Sequence, residues 1–434
     1  MSTHVAIVGN GIAGITAARF LRKKSSSVRI TVISDETEHF FSRTALMYIY
    51  MGHMTFDDTK PYEDWFWEKN RIDLVKDYVT GLDVDQKLLL LRDGDPMSYD
   101  VLILATGSQS RPMGLEGEEL KGVQGLYSMQ DLEQMETNTD EIERAVVTGG
   151  GLIGVEMAEM LHTRHIPVTF LVREEEYYSN VLPEEESSMI SQVIRNHGID
   201  LRLATELKEI HGDAGERVRA VTTSHGERID CQFLGITIGV TPNLSLVENT
   251  PIETNRGILV DEHFRTNIPN VYAAGDCTEF ERDGIGNRRI DQLWYTGRKE
   301  GQAVARIISG DNRPYDPGPF FNSAKFFNVE YQTYGEIPPV LPDGQDTLVW
   351  QHPTEVKLIR INWEKDSKRV VGFNLIGIRY RMDVCHRWLE ERKTISEVLP
   401  VLHKANFDRE FDARYERSLL AQYHDRFPEA ILQS

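Results

Sequence analysis

Two glycine-rich segments repeat one pattern, and this duplication constrains the fold more than any other feature of the sequence. In each copy a short apolar run rich in Val and Ile leads into the glycines, and a segment with helical periodicity follows. The first glycine allows a tight turn, the second lets the backbone approach a pyrophosphate, and the third lets the helix pack on the strand. The duplication therefore predicts two strand–turn–helix units that each bind a dinucleotide at a helix N-terminus. The glycines are Gly9, Gly11 and Gly14 in the first copy, and Gly149, Gly151 and Gly154 in the second.

The residues after the second strand of each unit carry the next signal. In the first unit VRITVIS is followed by Asp35 and Glu36, at the spacing where an acid binds a ribose hydroxyl, which predicts an adenine dinucleotide. In the second unit PVTFLV is followed by Arg173 and Glu174. An arginine there accommodates a 2′-phosphate, whereas a glutamate binds a free 2′-hydroxyl, so NADH and NADPH both stay open. Arg173 is equally compatible with a solvent-exposed charge at a strand end.

Composition limits the size and class of the protein. A chain of 434 residues folds as about three domains of ~150 residues. The net charge of −20 argues against a nucleic-acid surface and against attraction to an anionic membrane. The cysteines, Cys231, Cys277 and Cys385, form no C-x-x-C pair, so we expect neither a disulfide framework nor a metal site. Without a signal sequence or an apolar run of roughly 18 residues, the expected location is the cytoplasm.

Four further segments, taken with the two glycine motifs, define a family resemblance. The chain resembles the FAD-dependent pyridine nucleotide-disulfide oxidoreductases, which include ferredoxin and rubredoxin reductases, coenzyme A disulfide reductases and NADH oxidases. The segments are YDVLILATGSQSRP at 99–112, ITIGVTPN at 236–243, NVYAAGDCTEF at 270–280 and NSAKFF at 322–327.

The resemblance implies an α/β fold with two Rossmann-type domains, one for FAD and one for NAD(P), and a C-terminal α+β interface domain. It also implies NADH or NADPH as the second cofactor and a homodimer. The expected boundaries are 1–112 and 244–318 for the FAD domain, 113–243 for the NAD(P) domain and 319–434 for the interface domain.

The resemblance also assigns cofactor-binding residues. The expected FAD residues are Gly9, Gly11, Ala13, Gly14, Asp35, Glu36, Arg43, Ala105, Thr106, Gly107, Gly275, Asp276, Gln292, Leu293 and Trp294. The expected NAD(P) residues are Gly149, Gly151, Leu152, Ile153, Gly154, Glu156, Arg173, Glu174 and Gly239.

Three of these assignments carry a specific role. Asp276 is expected to accept hydrogen bonds from the ribitol hydroxyls, with an Asx-turn as the alternative. Residues 292–294 are expected at a helix N-terminus beside the pyrimidine edge of the flavin. Glu156 is expected near the nicotinamide, where it orients the carboxamide rather than moving a proton. Its alternative is an ordinary exposed glutamate in a first helical turn.

The segment HFFSRTALMYIYMG at 39–52 distinguishes the branches of the family. Thr44 stands where the disulfide-reducing and oxidase branch has a cysteine, and a hydroxyl cannot form a mixed disulfide. Arg43 and Leu46 agree with the carrier-reductase branch, but Thr44 and Ala45 replace its prolines and Tyr48 replaces a lysine close to the flavin. Arg43 and Tyr48 are therefore candidate catalytic residues.

Methionines and aromatic residues are frequent in and after this segment. They could line an acceptor pocket, but such residues fill protein interiors more often, and we expect most of them in the core. Cys277 is likewise expected to be a small buried hydrophobe. The cluster comprises Met47, Tyr48, Tyr50, Met51, Met54, Trp65, Phe66 and Trp67.

The sequence favours an FAD-dependent NAD(P)H oxidoreductase that passes electrons to a ferredoxin- or rubredoxin-type protein, or to another soluble acceptor, without an active-site disulfide. The alternatives are an NAD(P)H oxidase or quinone reductase, and a redox-sensing interaction protein with little turnover. An acidic carrier protein would be repelled by this negatively charged chain unless a basic patch, such as residues 22–24 or 288–289, compensates. The charged C-terminal segment lacks the apolar face of a membrane-lying helix, so no stable membrane association is expected.

Replacing Thr44 by cysteine tests the alignment of this segment. Because position 44 lies outside both glycine motifs, Thr44→Cys should leave FAD and nicotinamide nucleotide binding intact. The measurement is the ratio of flavin to protein absorbance after purification. Loss of flavin from the variant would show that the segment is aligned wrongly.

Overall fold

The computed structural model describes residues 3–281, 288–407 and 415–428. These residues form a mixed α/β protein, as the sequence predicts. The helices are α1 (Ile12–Lys24), α2 (Leu46–Tyr50), α3 (Trp65–Lys69), α4 (Met129–Asn138), α5 (Leu152–Thr163), α6 (Glu184–Asn196), α7 (Trp294–Ile308), α8 (Met382–Glu390), α9 (Ile395–Val398) and α10 (Glu416–Arg426). None of the helices in these described ranges is long and apolar enough to cross a membrane.

The strands are numbered in chain order. They are β1 (His4–Val8), β2 (Arg29–Ser34), β3 (Ile72–Lys76), β4 (Val79–Asp83), β5 (Leu88–Leu91), β6 (Met97–Ser98), β7 (Val101–Leu104), β8 (Ser108–Ser110), β9 (Val123–Gln124), β10 (Ala145–Thr148), β11 (Val168–Leu171), β12 (Asp200–Arg202), β13 (Leu207–Gly212), β14 (Val218–Thr223), β15 (Arg228–Asp230), β16 (Phe233–Ile236), β17 (Val240–Pro242), β18 (Ile258–Val260), β19 (Val271–Ala273), β20 (Thr278–Glu281), β21 (Arg288–Arg289), β22 (Phe321–Phe326), β23 (Val329–Gly335), β24 (Gln345–Gln351), β25 (Leu358–Glu364) and β26 (Val370–Ile376).

The chain divides into two compact units. Unit 1 consists of Met1–Gly114, Glu118–Ile142 and Gly235–Pro317, and unit 2 of Leu115–Gly117, Glu143–Leu234 and Gly318–Ser434. Each unit holds one copy of the glycine motif. The three domain boundaries expected from the sequence stay predictions.

Unit 1 is built on a parallel sheet with the strand order β19-β7-β1-β2-β3. Its central strand β1 is buried along its whole length, as expected for a short apolar run covered on both faces. The carboxyl ends of parallel strands meet at one edge of a sheet, where ligands of such folds bind. The glycine turn after β1, the segment from Ala105 after β7 and the segment from Ala274 after β19 therefore lie together.

Helices α1 and α7 pack on this edge with almost no space between their backbones. A Cβ atom at Gly301 of α7 would lie 2.3 Å from the carbonyl oxygen of Ala13 in α1. A Cβ at Gly275 would lie 2.8 Å from the Ala13 side chain. The close approach depends on these glycines, since real side chains do not tolerate such distances.

Unit 2 repeats the first part of this architecture with the parallel strands β10, β11 and β12. The register is the same in both copies: Val8 pairs with Ile33 in unit 1, and Thr148 with Leu171 in unit 2. Counting on from the paired residues, Arg173 occupies the position of Asp35, and Glu174 occupies that of Glu36. The rest of unit 2 includes the antiparallel sheet β22-β23-β26-β25-β24.

Strand β25 is covered on both faces, because residues 358–363 are all buried. On one face Trp363 packs against Tyr423 and Phe427, with ring centroids 6.1 and 6.3 Å apart. From the other face Arg360 extends to the first turn of α6. Two layers of the same unit thus cover this strand.

Arg360 makes a buried ion pair with that turn. Its Nε lies 2.7 Å from Oε1 of Glu186, and one terminal nitrogen lies 2.8 Å from Oε2 of Glu186 and 2.6 Å from Glu185. The side chains of Arg360 and Glu186 are 5% and 0% exposed. Removing either partner would leave a buried charge unpaired, which costs about 3–5 kcal/mol.

The methionine and aromatic cluster only partly follows the core prediction. Met47, Tyr50 and Trp67 are buried, but Met54 and Trp65 are 40% and 58% exposed, so the prediction is wrong for these two. Met54 follows the end of α2, and Trp65 begins the short helix α3 on its open side, where the Lys69 ammonium lies 4.8 Å from its ring centroid. The remaining members, Tyr48, Met51 and Phe66, are half-buried.

Adding one methyl group at Gly301 tests the helix contact. In Gly301→Ala the new Cβ meets backbone that cannot move aside, so we expect the free energy of unfolding of unit 1 to fall by about 1–3 kcal/mol. The measurement is a thermal melt that follows release of the flavin. Gly344→Ala is the matched control, because a Cβ there meets nothing within 4 Å. Equal melting temperatures for the two variants would contradict the packing argument.

Candidate functional site

The glycine turn of unit 1 contains two kinds of glycine. A Cβ at Gly9 would lie 2.0 Å from the Ala105 carbonyl oxygen, and one at Gly14 would lie 2.1 Å from the Gly9 carbonyl oxygen, so both are required by packing. Gly11 is different: it caps α1 and has nothing within 4 Å of its Cβ position. No side chain caps this helix N-terminus. The open space beside uncapped backbone N–H groups fits a pyrophosphate.

Asp276 lies at the same sheet edge, directly after Gly275. Its Oδ2 atom accepts hydrogen bonds from Ser108 Oγ at 3.2 Å and from the Tyr127 hydroxyl at 3.3 Å. Desolvation by the surrounding chain raises the pKa of Asp276, and these two donors oppose that rise. The Gln292 amide donates to Ser108 Oγ at 2.8 Å. The structure therefore joins Asp276 and Gln292, two predicted FAD residues, through Ser108.

Arg43 connects a second part of the predicted site. Its guanidinium binds Glu36 through two nitrogens, at 2.8 and 2.5 Å, and donates to the Tyr127 carbonyl oxygen at 2.5 Å. It also lies over the Tyr127 ring, 4.4 Å from the centroid. Asp35, by contrast, is exposed. Glu36 is therefore the acid that this sheet edge holds in place.

Tyr127 is a functional candidate that the sequence analysis missed. Its hydroxyl contacts Asp276 and accepts from the Ser108 backbone N–H at 2.9 Å, while its ring contacts Arg43. Burial raises its pKa, so the hydroxyl stays protonated and donates. No local motif marks this position, since Tyr127 belongs to a short irregular segment between β9 and α4.

The N-terminus of α7 falls where the resemblance implies it. Leu293 caps the helix, and Trp294 begins it. The buried Nε1 of Trp294 finds no hydrogen-bond partner in the described part of the chain. An unpaired buried N–H donor at a helix N-terminus is suited to the polar pyrimidine edge of a flavin, which the resemblance implies at this position. Behind it lies Glu300, which the sequence analysis also missed: it is 1% exposed and accepts from the Gly275 N–H at 2.6 Å.

The other predicted residues of unit 1 are placed as follows. Ala13 is buried beneath Gly275 and packs rather than faces open space. Thr106 Oγ1 donates to the Asn243 carbonyl oxygen at 2.8 Å. A Cβ at Gly107 would lie 3.0 Å from the Tyr127 hydroxyl oxygen. Gly239 belongs to this unit as well, where its carbonyl oxygen accepts from the Arg111 N–H at 3.1 Å.

The segment around Thr44 forms a 3-10 turn, Arg43–Ala45, followed by α2. Thr44 is exposed and lies 3.2 Å from the Ser42 hydroxyl. Tyr48 is half-buried, with its ring stacked 6.4 Å from His53. Leu46 and Ala45 are buried.

All three cysteines are free and buried. Burial raises the pKa of the Cys231 thiol to about 12 and that of Cys277 to about 11, and it raises the pKa of Cys385 as well. None of them is a thiolate at neutral pH. The expectation that Cys277 is a small buried residue is confirmed.

The nucleotide turn of unit 2 resembles that of unit 1. Gly151 caps α5 with open space at its Cβ position, and Leu152 and Ile153 form the first helical residues. A Cβ at Gly150 would lie 3.3 Å from Oε2 of Glu174, so this acid borders the turn. The Glu174 side chain is 22% exposed and pairs with Arg173, which is 72% exposed.

Glu156 lies on the helix α5 and is half-buried. Burial is the main cause that raises the pKa of Glu156 to about 7, and the negative charge of Glu159, one helical turn later, is the smaller cause. Lys325 of β22 binds Glu159 at 3.1 Å. This lysine belongs to the NSAKFF segment, for which the sequence indicated no role.

Residues 3–301 match the family described as pyridine nucleotide-disulphide oxidoreductase, which agrees with the paired turns and the acids beside them. The chain belongs to this family. It is an NAD(P)H oxidoreductase whose cofactor is FAD, and the residues described above fit both nucleotides.

Similar proteins in this family include named reductases. The ferredoxin reductase component of a chlorobenzene dioxygenase from Cupriavidus sp. (strain PS12) is 32% identical over 71% of this chain and 75% of that protein. Rhodocoxin reductase of Rhodococcus erythropolis is 28% identical over 94% and 93%. A solved ferredoxin reductase for the CYP199A2 system of Rhodopseudomonas palustris has a TM-score of 0.78 and 25% identity, and covers 87% of this chain and 91% of its own.

Removing the Tyr127 hydroxyl tests its place in the FAD site. Tyr127→Phe deletes one donor to Asp276, a loss worth about 1 kcal/mol, so the Kd for FAD should rise about fivefold. The measurement is flavin fluorescence during reconstitution of the apoprotein. Tyr99→Phe is the control, since the buried Tyr99 hydroxyl makes no hydrogen bond to the described residues. An unchanged Kd in Tyr127→Phe would remove this residue from the site.

Proposed function

We propose that this protein oxidises NADH through bound FAD and delivers the electrons to a small redox protein of the ferredoxin or rubredoxin type, without a cysteine relay. The observation that carries the proposal is the state of the cysteines: all three are buried, and burial raises the pKa of each thiol. The position expected for a redox cysteine holds the exposed Thr44. Electrons must therefore leave the flavin without passing through a disulfide.

The similar proteins support the class of acceptor. Those reported above are named as reductases of ferredoxin or rhodocoxin. When bound, FAD accepts a hydride from the nicotinamide and releases electrons singly, which suits such carriers. We include in the proposal a homodimer, which the family resemblance implies, and the cytoplasmic location that the sequence features predict.

The protein contributes binding and orientation. We assign the FAD pyrophosphate to the open turn at Gly11, the adenosine ribose to Glu36 and the ribitol to Asp276. Arg43 holds Glu36 in place and Tyr127 holds Asp276, so both anchors are fixed before the cofactor binds. Arg43 then has a binding role rather than the catalytic role considered for it.

The preference for NADH follows from charges around the second turn. Glu174 borders the turn, whereas Arg173 points to solvent and already carries Glu174 as its partner. Glu206 also interacts electrostatically with Arg173, and Glu175 is exposed next to it. A 2′-phosphate would meet several carboxylates and one neutralised arginine, while a 2′-hydroxyl can donate to Glu174.

The direct test is an anaerobic titration of the flavin with NADH and with NADPH, followed by a panel of ferredoxin, rubredoxin, quinone and oxygen. Fast bleaching by NADH and fast re-oxidation by a one-electron carrier are expected. Fast turnover with oxygen or quinone alone would instead make the protein an oxidase or quinone reductase. Slow re-oxidation by every acceptor, with a redox-dependent change in mass, would favour the interaction protein.

Replacing Glu174 tests the nucleotide preference. Glu174→Ser removes the acceptor and the repulsive charge and frees Arg173, so the ratio of kcat/KM for NADH to that for NADPH should fall about 10- to 100-fold. The measurement is initial-rate kinetics with each nucleotide at fixed acceptor. Glu175→Ser removes the same charge from the adjacent exposed position but leaves the acceptor at the turn in place, so it should lower the ratio much less. Equal ratios in all three proteins would show that Glu174 does not select the nucleotide.

A further inference from the structure

The segment that follows strand β11 contacts the second glycine turn through a buried tyrosine. The hydroxyl of Tyr177 donates a hydrogen bond to the Gly151 carbonyl oxygen at 2.9 Å. Tyr177 is completely buried, and burial raises the pKa of its hydroxyl well above the ordinary value, so the group is protonated and can donate. Glu174, the acid that borders the turn, precedes Tyr177 by three residues. One short segment therefore carries both the acid of the site and a contact with its turn.

The two copies of the glycine motif differ at this carbonyl group. In unit 1 the Gly11 carbonyl oxygen accepts the first helical hydrogen bond, from the Ile15 N–H, at 3.0 Å. In unit 2 the equivalent bond, from the Val155 N–H to the Gly151 carbonyl oxygen, is longer, at 3.4 Å. The Tyr177 hydroxyl is therefore the closer donor to this oxygen in unit 2.

Tyr177 is fixed by three other elements of unit 2. Its ring lies 5.9 Å, between centroids, from Phe170 of β11 and 5.9 Å from Phe326 of β22. Its backbone N–H donates to Ser191 Oγ, on α6, at 3.2 Å. Because these contacts hold both the ring and the backbone, the hydroxyl is positioned before a nucleotide binds.

The peptide group that accepts this hydrogen bond is also the one that offers its N–H to a nucleotide. It joins the Gly151 carbonyl to the N–H of Leu152, the first residue of α5. No side chain in the described part of the chain caps this helix, and the Cβ position of Gly151 is open. The Leu152 N–H can therefore donate to a pyrophosphate. A hydrogen bond accepted at the carbonyl polarises the peptide group and makes its N–H a stronger donor.

We propose that Tyr177 is a positioning residue for the nicotinamide nucleotide: through the Gly151–Leu152 peptide group it orients and strengthens an N–H donor to the pyrophosphate. The inference rests on the proposed function, which assigns a nicotinamide nucleotide to the second glycine turn. The Tyr177 hydroxyl binds the Gly151 carbonyl, and the Leu152 N–H binds a phosphate oxygen. Tyr177 thus acts on the nucleotide through the backbone.

The test compares two ligands, of which only one contains a pyrophosphate. ADP-ribose has the pyrophosphate of NADH without the nicotinamide, and adenosine has no phosphate. Calorimetric titration of the oxidised holoprotein gives the Kd for each ligand without turnover. Tyr177→Phe keeps the ring and removes the hydroxyl, so the Kd for ADP-ribose should rise about three- to tenfold. The Kd for adenosine should not change, because adenosine has no group for the Leu152 N–H to bind at the turn.

The matched control is Tyr334→Phe. Tyr334 is also completely buried in unit 2, and its hydroxyl donates to a backbone carbonyl oxygen, that of Tyr380, at 3.0 Å. Its removal should leave both Kd values unchanged. An unchanged Kd for ADP-ribose in Tyr177→Phe would overturn the inference. An equal rise for both ligands would overturn it as well, because the whole site would then be loosened rather than the pyrophosphate contact.

Stopped-flow reduction of the flavin by NADH distinguishes this inference from the proposed function. In Tyr177→Phe the NADH concentration that gives half the maximal rate should rise by the same factor as the Kd for ADP-ribose. The rate at saturating NADH should stay that of the unaltered protein. Bleaching with an unchanged half-saturating concentration overturns the role of Tyr177 alone. No bleaching of the unaltered protein by NADH overturns the proposed function, and the two Kd values then decide the role of Tyr177.

Discussion

Backbone contact at the carboxyl edge of the parallel sheet in unit 1 is the constraint on which the candidate FAD site depends. Gly9 touches the chain after β7, and Gly301 of α7 touches α1 at Ala13. Neither position has room for a side chain. Helices α1 and α7 are thus held by contacts between backbone atoms. The open turn at Gly11 and the carboxylate of Asp276 therefore lie at the same edge of the sheet.

The second copy has the same architecture as the first, but a different arginine pairs with its acid. Both copies place an acid at equivalent positions, Glu36 and Glu174, because their strand registers are identical. In unit 1 the acid is bound by Arg43, which comes from the 3-10 turn seven residues later. In unit 2 it is bound by its neighbour, Arg173, which is largely exposed. The first acid is therefore rigidly held, and the second stays accessible to a ligand that enters and leaves during each turnover.

The sequence was sufficient to predict the elements whose signal is local. Both glycine turns and their strands follow from short patterns, whereas the start of α7 at Trp294 and the complete fold class were expected from the family resemblance. Tyr127 could not be found in this way, because its contacts with Asp276 and Arg43 join segments far apart in the chain. Lys325 lies within a family segment, but its ion pair with Glu159 could not be read from the sequence, because the two residues are far apart in the chain. Trp65 was expected in the core because it is apolar. It is exposed because the helix that it begins is too short to be covered on all sides.

The pair of Arg360 and Glu186 has a consequence for how such proteins can diversify. It ties the nucleotide-binding part of unit 2 to the C-terminal sheet through a charge that neither part can neutralise alone. Recombination that exchanges one part without the other would leave an unpaired charge in the interior. An exchange of one part alone therefore has to supply a matching charge for the other part, or the hybrid protein loses stability.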